Sequence, residues 1–191
     1  MRFTLLSLLA LPLLAAEPRP SPQVFRSFLP DAGPSAFGVV LTADLALCYD
    51  PLRGGINQAW RGRLDLSPTW QAKINAPAKI DGPVFYREQL LQPLRVGDPE
   101  RVPVRRFKGY RYAGDAVVFD CTLDGVAVSE TLRRSGDGLE RVWRLAQPGK
   151  ALFFRVEAQP EAELQFSGGE EIAPGLWRTN TTLTLLIRPA R

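Results

Sequence analysis

Between Arg106 and Ala158 apolar and polar residues alternate with a period of two, interrupted at Gly114-Asp115, Asp124-Gly125, Arg134 to Asp137 and Pro148-Gly149. A period of two puts alternate residues on opposite faces of a strand, and Asp-Gly is a strong signal for a two-residue hairpin. The Asp124-Gly125 turn predicts Leu123 opposite Val126, Cys121 opposite Val128, Phe119 opposite Glu130 and Val117 opposite Leu132. Gly114-Asp115 sets Tyr112 against Val117 and Tyr110 against Phe119. A four-residue loop at Arg134 to Asp137 predicts Leu132 opposite Leu139, Glu130 opposite Arg141 and Val128 opposite Trp143. Pro148-Gly149 then brings Phe154 beside Trp143. A slip of one residue in any hairpin would scatter these apolar residues to both faces. The expectation is a five-strand antiparallel meander over about 106–158, with one wet face.

An apolar sheet face has to be covered. Strand-like runs at Phe37 to Leu41, Leu45 to Tyr49, Ile56 to Trp60, Leu164 to Phe166 and Thr182 to Ile187 supply the cover. The predicted fold class is therefore all-β, an antiparallel β-sandwich with its two sheets about 10 Å apart. No stretch after the first residues sustains a helical period. The Pro-rich segment 67–102 reads as one long loop, of the kind that carries function or wraps an open face.

The N-terminus has a different pattern. MRFTLLSLLALPLLAA has one basic residue, an apolar run and small residues at its end, and Pro-rich EPRPSP follows. This is the pattern of an export signal, since a spanning helix needs roughly 20 apolar residues. The predicted organisation is a signal peptide at 1–16, a Pro-rich leader at 17–34 and a single sandwich domain at 35–191. The expected location is periplasmic or secreted, with no transmembrane segment after signal cleavage.

Composition narrows the chemistry. Twenty-four Lys and Arg against 20 Asp and Glu give a net charge of +4, too even for a nucleic-acid partner, which calls for clustered positive charge. The chain has no histidine and two cysteines. Imidazole-dependent triads, His-bearing zinc sites, Cys-only zinc sites and haem held by CxxCH are thereby excluded, and no cofactor or metal is implied. Cys121 faces the expected core and Cys48 lies on a strand of the opposing sheet. An inter-sheet disulfide and two buried free thiols both fit that placement.

Two features stand out as candidate chemistry. Glu130 and Arg141 fall opposite each other on the apolar face, either as a charged pair at the floor of a cleft or as a structural ion pair. The stretch CYDPLRGGINQAWRGRLD gathers Asp50, Trp60, Arg61 and Asp65, with Trp70 shortly after it. Exposed tryptophans stack on sugar faces and Asp or Arg hydrogen-bond hydroxyls, whereas tryptophans in strands more often pack in cores, as Trp143 does by its register.

The run SAFGVVLTADLALCYDPLRGGINQAWRGRLDLSPTW, followed by GPVFYRE, PLRVGD, FKGYR and FDCTLDGVAVSE, resembles an uncharacterised exported β-domain. That domain occurs in multidomain c-type cytochrome and sugar-dehydrogenase-like proteins of planctomycetes and verrucomicrobia. The matching residues are Cys48, Tyr49, Asp50, Ala59, Trp60, Arg61, Gly62, Lys108, Gly109, Tyr110 and Arg111, over about Ser35 to Glu130. Arg63 departs from the pattern by replacing a second glycine. The resemblance implies a β-domain in a bacterial envelope and carries no established chemistry. The meander is also similar in fold to part of the galactose-mutarotase-like sandwiches, whose catalytic histidines this chain lacks.

Two functions of different class follow. One is an exported noncatalytic sandwich that binds a carbohydrate or a cell-envelope protein, through Asp50, Trp60, Arg61, Trp70, Glu130 and Arg141. The other is a carboxylate-based hydrolase or isomerase acting on carbohydrate, using Glu130 with Asp50 or Asp65, as paired carboxylates across a cleft permit.

Overall fold

The computed structural model describes residues 22–71, 76–147 and 149–190. The export signal expected at 1–16 lies outside the described residues. The chain forms β1 (Gln23–Arg26), β2 (Phe37–Thr42), β3 (Leu45–Asp50), β4 (Gly55–Arg61), β5 (Arg63–Asp65), a short helix α1 (Ser67–Gln71), β6 (Lys79–Asp81), β7 (Val84–Arg87) and β8 (Leu94–Val96). It continues with β9 (Arg105–Ala113), β10 (Ala116–Leu123), β11 (Val126–Ser135), β12 (Gly138–Leu145), β13 (Leu152–Arg155), β14 (Ala162–Ser167), β15 (Glu170–Ala173), β16 (Leu176–Thr179) and β17 (Thr182–Pro189).

These strands make an all-β, sandwich-like structure of antiparallel sheets. One sheet has the order β1-β2-β3-β4-β7, a second β14-β17-β12-β11-β10-β9, a third β15-β16-β13-β8, and β5 pairs with β6 as a ribbon. The first two hairpins of the meander have the registers their turns dictate. Leu123 pairs with Val126 and Phe119 with Glu130 across a turn in which Asp124 and Gly125 both have positive φ, at 49° and 81°. Tyr112 pairs with Val117 and Tyr110 with Phe119 across Gly114-Asp115.

Two expectations for the meander are corrected. The turn between β11 and β12 has two residues, Gly136-Asp137, with Ser135 opposite Gly138, so the register moves by two and Glu130 faces Trp143 while Leu132 faces Arg141. A shift of two keeps every side chain on its face, and Glu130 and Arg141 become diagonal neighbours. The expected fifth strand, β13, leaves the sheet. The free edge of β12 is taken by β17, and β13 pairs with β16 and β8. The physical reason lies in the sequences: Leu183, Leu185 and Ile187 of β17 alternate and are fully buried, whereas Leu152, Phe153 and Phe154 of β13 are buried in succession and suit no wet-faced sheet. Trp143 and Phe154 still meet, with ring centroids 4.4 Å apart, but from different sheets.

The segment 67–102 is not one loop, since it contributes α1, β6, β7 and β8. Likewise β1 falls within the expected leader at 17–34 and pairs with β2.

The main core joins three sheets, with Leu45, Leu47 and Tyr49 of β3, Val117 and Phe119 of β10, and Leu152 and Phe154 of β13 all buried in one cluster. A second, smaller core covers the other face of the five-stranded sheet, where Ala46, Cys48 and Trp60 meet Leu29, Ala36, Leu66 and Ala78. Gly38 permits this layer to close, because a β-carbon there would run into the Leu64 side chain of the β5-β6 ribbon. All six residues of β3 are therefore buried.

Candidate functional site

The residues singled out from sequence divide into three places. The first is the dry interior, where Arg141 is completely buried. Its Nε donates to Glu130 Oε1 at 2.9 Å, and its Nη1 donates to Tyr86 Oη at 3.2 Å and to Glu88 Oε2 at 3.3 Å. Tyr86 donates its hydroxyl to the same Glu88 oxygen at 2.8 Å. The guanidinium lies 4.6 Å from the Trp143 ring centroid, a cation–π distance. Nearby, Arg105 Nη2 donates to Tyr49 Oη at 3.1 Å, and the Tyr49 ring stacks on Phe119 at 3.7 Å.

One guanidinium thus serves two carboxylates. Burial works against the Arg141 charge, but Glu130, Tyr86 and Glu88 around it hold it firmly protonated. Burial raises the Glu88 carboxyl above its ordinary range and outweighs Arg141, which is shared and lies closer to Glu130. Gly55 comes close over this group, since a β-carbon there would stand 3.0 Å from Arg141 Nη2. Glu130 and Arg141 are brought together as the sequence indicated, with both side chains enclosed, at 3% and 0% exposure. Tyr86 and Glu88 were missed. Their spacing of two in VFYRE puts both on one strand face, but the segment read as a Pro-rich loop.

The second place is the outer layer over β3 and β4. Trp60 is fully buried there, donating its indole Nε1 to the Arg63 carbonyl at 3.1 Å. It is a core residue rather than a ligand platform. Asp50, also buried, closes a turn: its carboxylate accepts from Gly33 N at 3.1 Å and Leu52 N at 2.9 Å. Arg61 pairs with Asp44 at 3.1 Å and donates to the Asp137 carbonyl. None of the three offers a free surface group. The sequence left a Cys48–Cys121 disulfide open, and the structure has two free, buried thiols. They belong to different cores, Cys48 to the outer layer and Cys121 to the main one. Burial, and secondarily Asp50, pushes the Cys48 thiol up to about 12, and burial raises that of Cys121. Neither is poised as a thiolate.

The third place is exposed. Trp70, in α1, has 71% of its surface accessible. Asp65 Oδ1 accepts from Ser67 N at 2.9 Å ahead of the helix, and Trp70 N bonds to the Leu66 carbonyl at 3.2 Å. Pro68 is tolerated because it falls in the first turn. The hydrogen bonds from the Ser67 side chain and backbone lower the Asp65 carboxyl, so it is ionised at neutral pH. Trp70 stands at a groove of about 440 Å³ lined by Phe25, Val40, Leu64 and Leu66, with Arg63, Asp65 and Ser67 also lining it. The groove opens directly onto the second core, whose members Phe25, Val40 and Leu64 are only partly buried.

Among the described residues, no three His, Cys, Asp or Glu side chains gather as a metal would require, and no helix is long and apolar enough to cross a membrane. No known protein family matches the chain, and neither a curated protein nor a solved structure matches it.

Proposed function

We propose that this chain is a noncatalytic carbohydrate-binding domain acting outside the cytoplasm, and that it holds a sugar ring against Trp70. The observation that carries this reading is the groove beside Trp70. An exposed indole and the apolar side chains of Phe25, Val40, Leu64 and Leu66 line it together with Arg63, the ionised Asp65 and Ser67. A pyranose has one apolar face for the indole and equatorial hydroxyls for Asp65 and Ser67, while the exposed Arg63 guanidinium, which also pairs with Asp81, stands at the rim. The burial of Glu130 against Arg141 and the use of Asp50 in closing a turn support binding over carboxylate chemistry. The apolar leader and the likeness to an exported envelope domain support the location.

Glycan-array binding of the protein lacking residues 1–16, followed by titration calorimetry on the best ligand, tests this. The wild type binds a defined glycan, and Trp70→Ala loses about tenfold or more in affinity, or roughly 1.4 kcal/mol, while melting as the wild type does. Binding of a neutral glycan that survives Trp70→Ala unchanged would overturn the assignment.

A further inference from the structure

The wet face of the meander holds a second depression, of about 610 Å³, lined in part by Lys108, Arg111, Asp120, Thr122, Ser129 and Arg144. Its construction follows from a bulge. Asp120 pairs with Gly109 and Cys121 with Phe107, so Lys108 is the extra residue of β9 and has no partner across the ladder. Bulges re-aim side chains in this way. Asp120 pairs in turn with Ser129, and Ser129 with Arg144, so one row runs from the bulge to β12.

The charges along that row do not cancel. Arg111 is paired with Asp120. Lys108 and Arg144 are exposed, and among the described residues neither has an ion-pair partner. Thr122 and Ser129 likewise carry hydroxyls with no side-chain hydrogen bond among the described residues. Arg106, opposite Thr122, adds a further cation on the same face. Lys108 and Arg144 stand on strands three ladder spacings apart, about 14 Å at about 4.8 Å per spacing. Between them the row carries Asp120, whose carboxylate is neutralised by Arg111, and the small Ser129. Two cations at the ends of a shallow floor with free hydroxyls suit a chain bearing several anionic groups better than one small ion.

We infer that this face is a second binding site, separate from the Trp70 groove, for an acidic polysaccharide whose carboxylate or sulfate groups are taken by Lys108 and Arg144. The guanidinium of Arg144 suits a planar carboxylate bidentately, and Lys108 acts as a point charge. Such binding weakens as salt rises.

The test measures binding of the protein lacking residues 1–16 to polygalacturonate, dextran sulfate, neutral dextran and a single-stranded oligodeoxynucleotide, at low and high salt. The wild type binds polygalacturonate or dextran sulfate, and the preferred one identifies the anionic group. Neutral dextran is not bound at this face. Lys108→Glu with Arg144→Glu lowers acidic-glycan affinity about tenfold or more, as reversal of two charges at an interface should. Both positions are exposed, so the melting temperature stays unchanged. Trp70→Ala leaves this binding intact, so failure here is distinguishable from failure of the Trp70 reading. Acidic-glycan binding indifferent to the double reversal, no binding of either acidic glycan, or preference for the oligodeoxynucleotide overturns the inference.

Discussion

Strands β11 and β12 carry an ion pair on each of their two faces. On the wet face Arg133 and Glu140 are direct cross-strand partners, 2.6 Å apart, with Arg133 about half exposed. On the dry face Arg141 and Glu130 are diagonal partners 2.9 Å apart and enclosed, with Glu88 and Tyr86 completing the set. The same residue types on the same hairpin are thus in opposite situations. Water can replace either partner on the wet face. On the dry face each group depends on the others, because an unpaired buried charge costs several kcal/mol. What the sequence leaves open between a charged pair in a cleft and a structural ion pair is, by its burial and its contacts to Tyr86 and Glu88, a polar joint between two sheets.

Mutation should separate the two faces sharply. Arg141→Leu leaves two buried carboxylates without their cation and should cost about 3–5 kcal/mol in urea denaturation. Arg133→Ala should cost no more than about 1 kcal/mol; equal costs would abolish the distinction between the faces. The tryptophans extend the comparison to the outer layer. Trp60→Ala should cost about 3–5 kcal/mol, and Trp70→Ala should stay within about 0.5 kcal/mol.

The dry face should also respond to pH through Glu88. Because its folded carboxyl is raised above the unfolded one, the folded state binds the extra proton. Stability is therefore highest below the unfolded value and declines as pH rises toward the raised value. Thermal melts of wild type and Glu88→Gln across that acidic range should show the wild type losing its relative advantage as pH rises. A relative gain with pH would mean that Arg141 holds Glu88 ionised after all. A smaller effect is expected from the cysteines. The native protein should resist alkylation, and denatured, unreduced protein should take up two alkyl groups per chain; uptake of none would show a disulfide.

How much of this could be read in the sequence depended on whether a strand had a wet face. The hairpins at Asp124-Gly125 and Gly114-Asp115 were legible because turn chemistry and alternation agree there, as in FDCTLDGVAVSE. The β11-β12 register was off by two because Gly136-Asp137 turns in two residues, and no side chain changed face as a result. Alternation is silent where both faces are covered. LALCYD in β3 and LFFR in β13 are apolar on both sides, so neither the second core nor the departure of β13 could be derived from period. For the same reason Trp60 looked as available as Trp70. What separates them is the cover over β4, supplied by residues far away in sequence such as Leu29 and Ala78.

The central claim is that ligand binding belongs to the exposed Trp70 groove and not to the buried Glu130–Arg141 pair. Glycan affinity measured side by side on wild type, Trp70→Ala and Glu130→Gln, each checked for native melting and near-ultraviolet circular dichroism, tests it directly. Affinity lost in Trp70→Ala and kept in folded Glu130→Gln is the predicted result. Affinity kept in Trp70→Ala and lost in folded Glu130→Gln would contradict it.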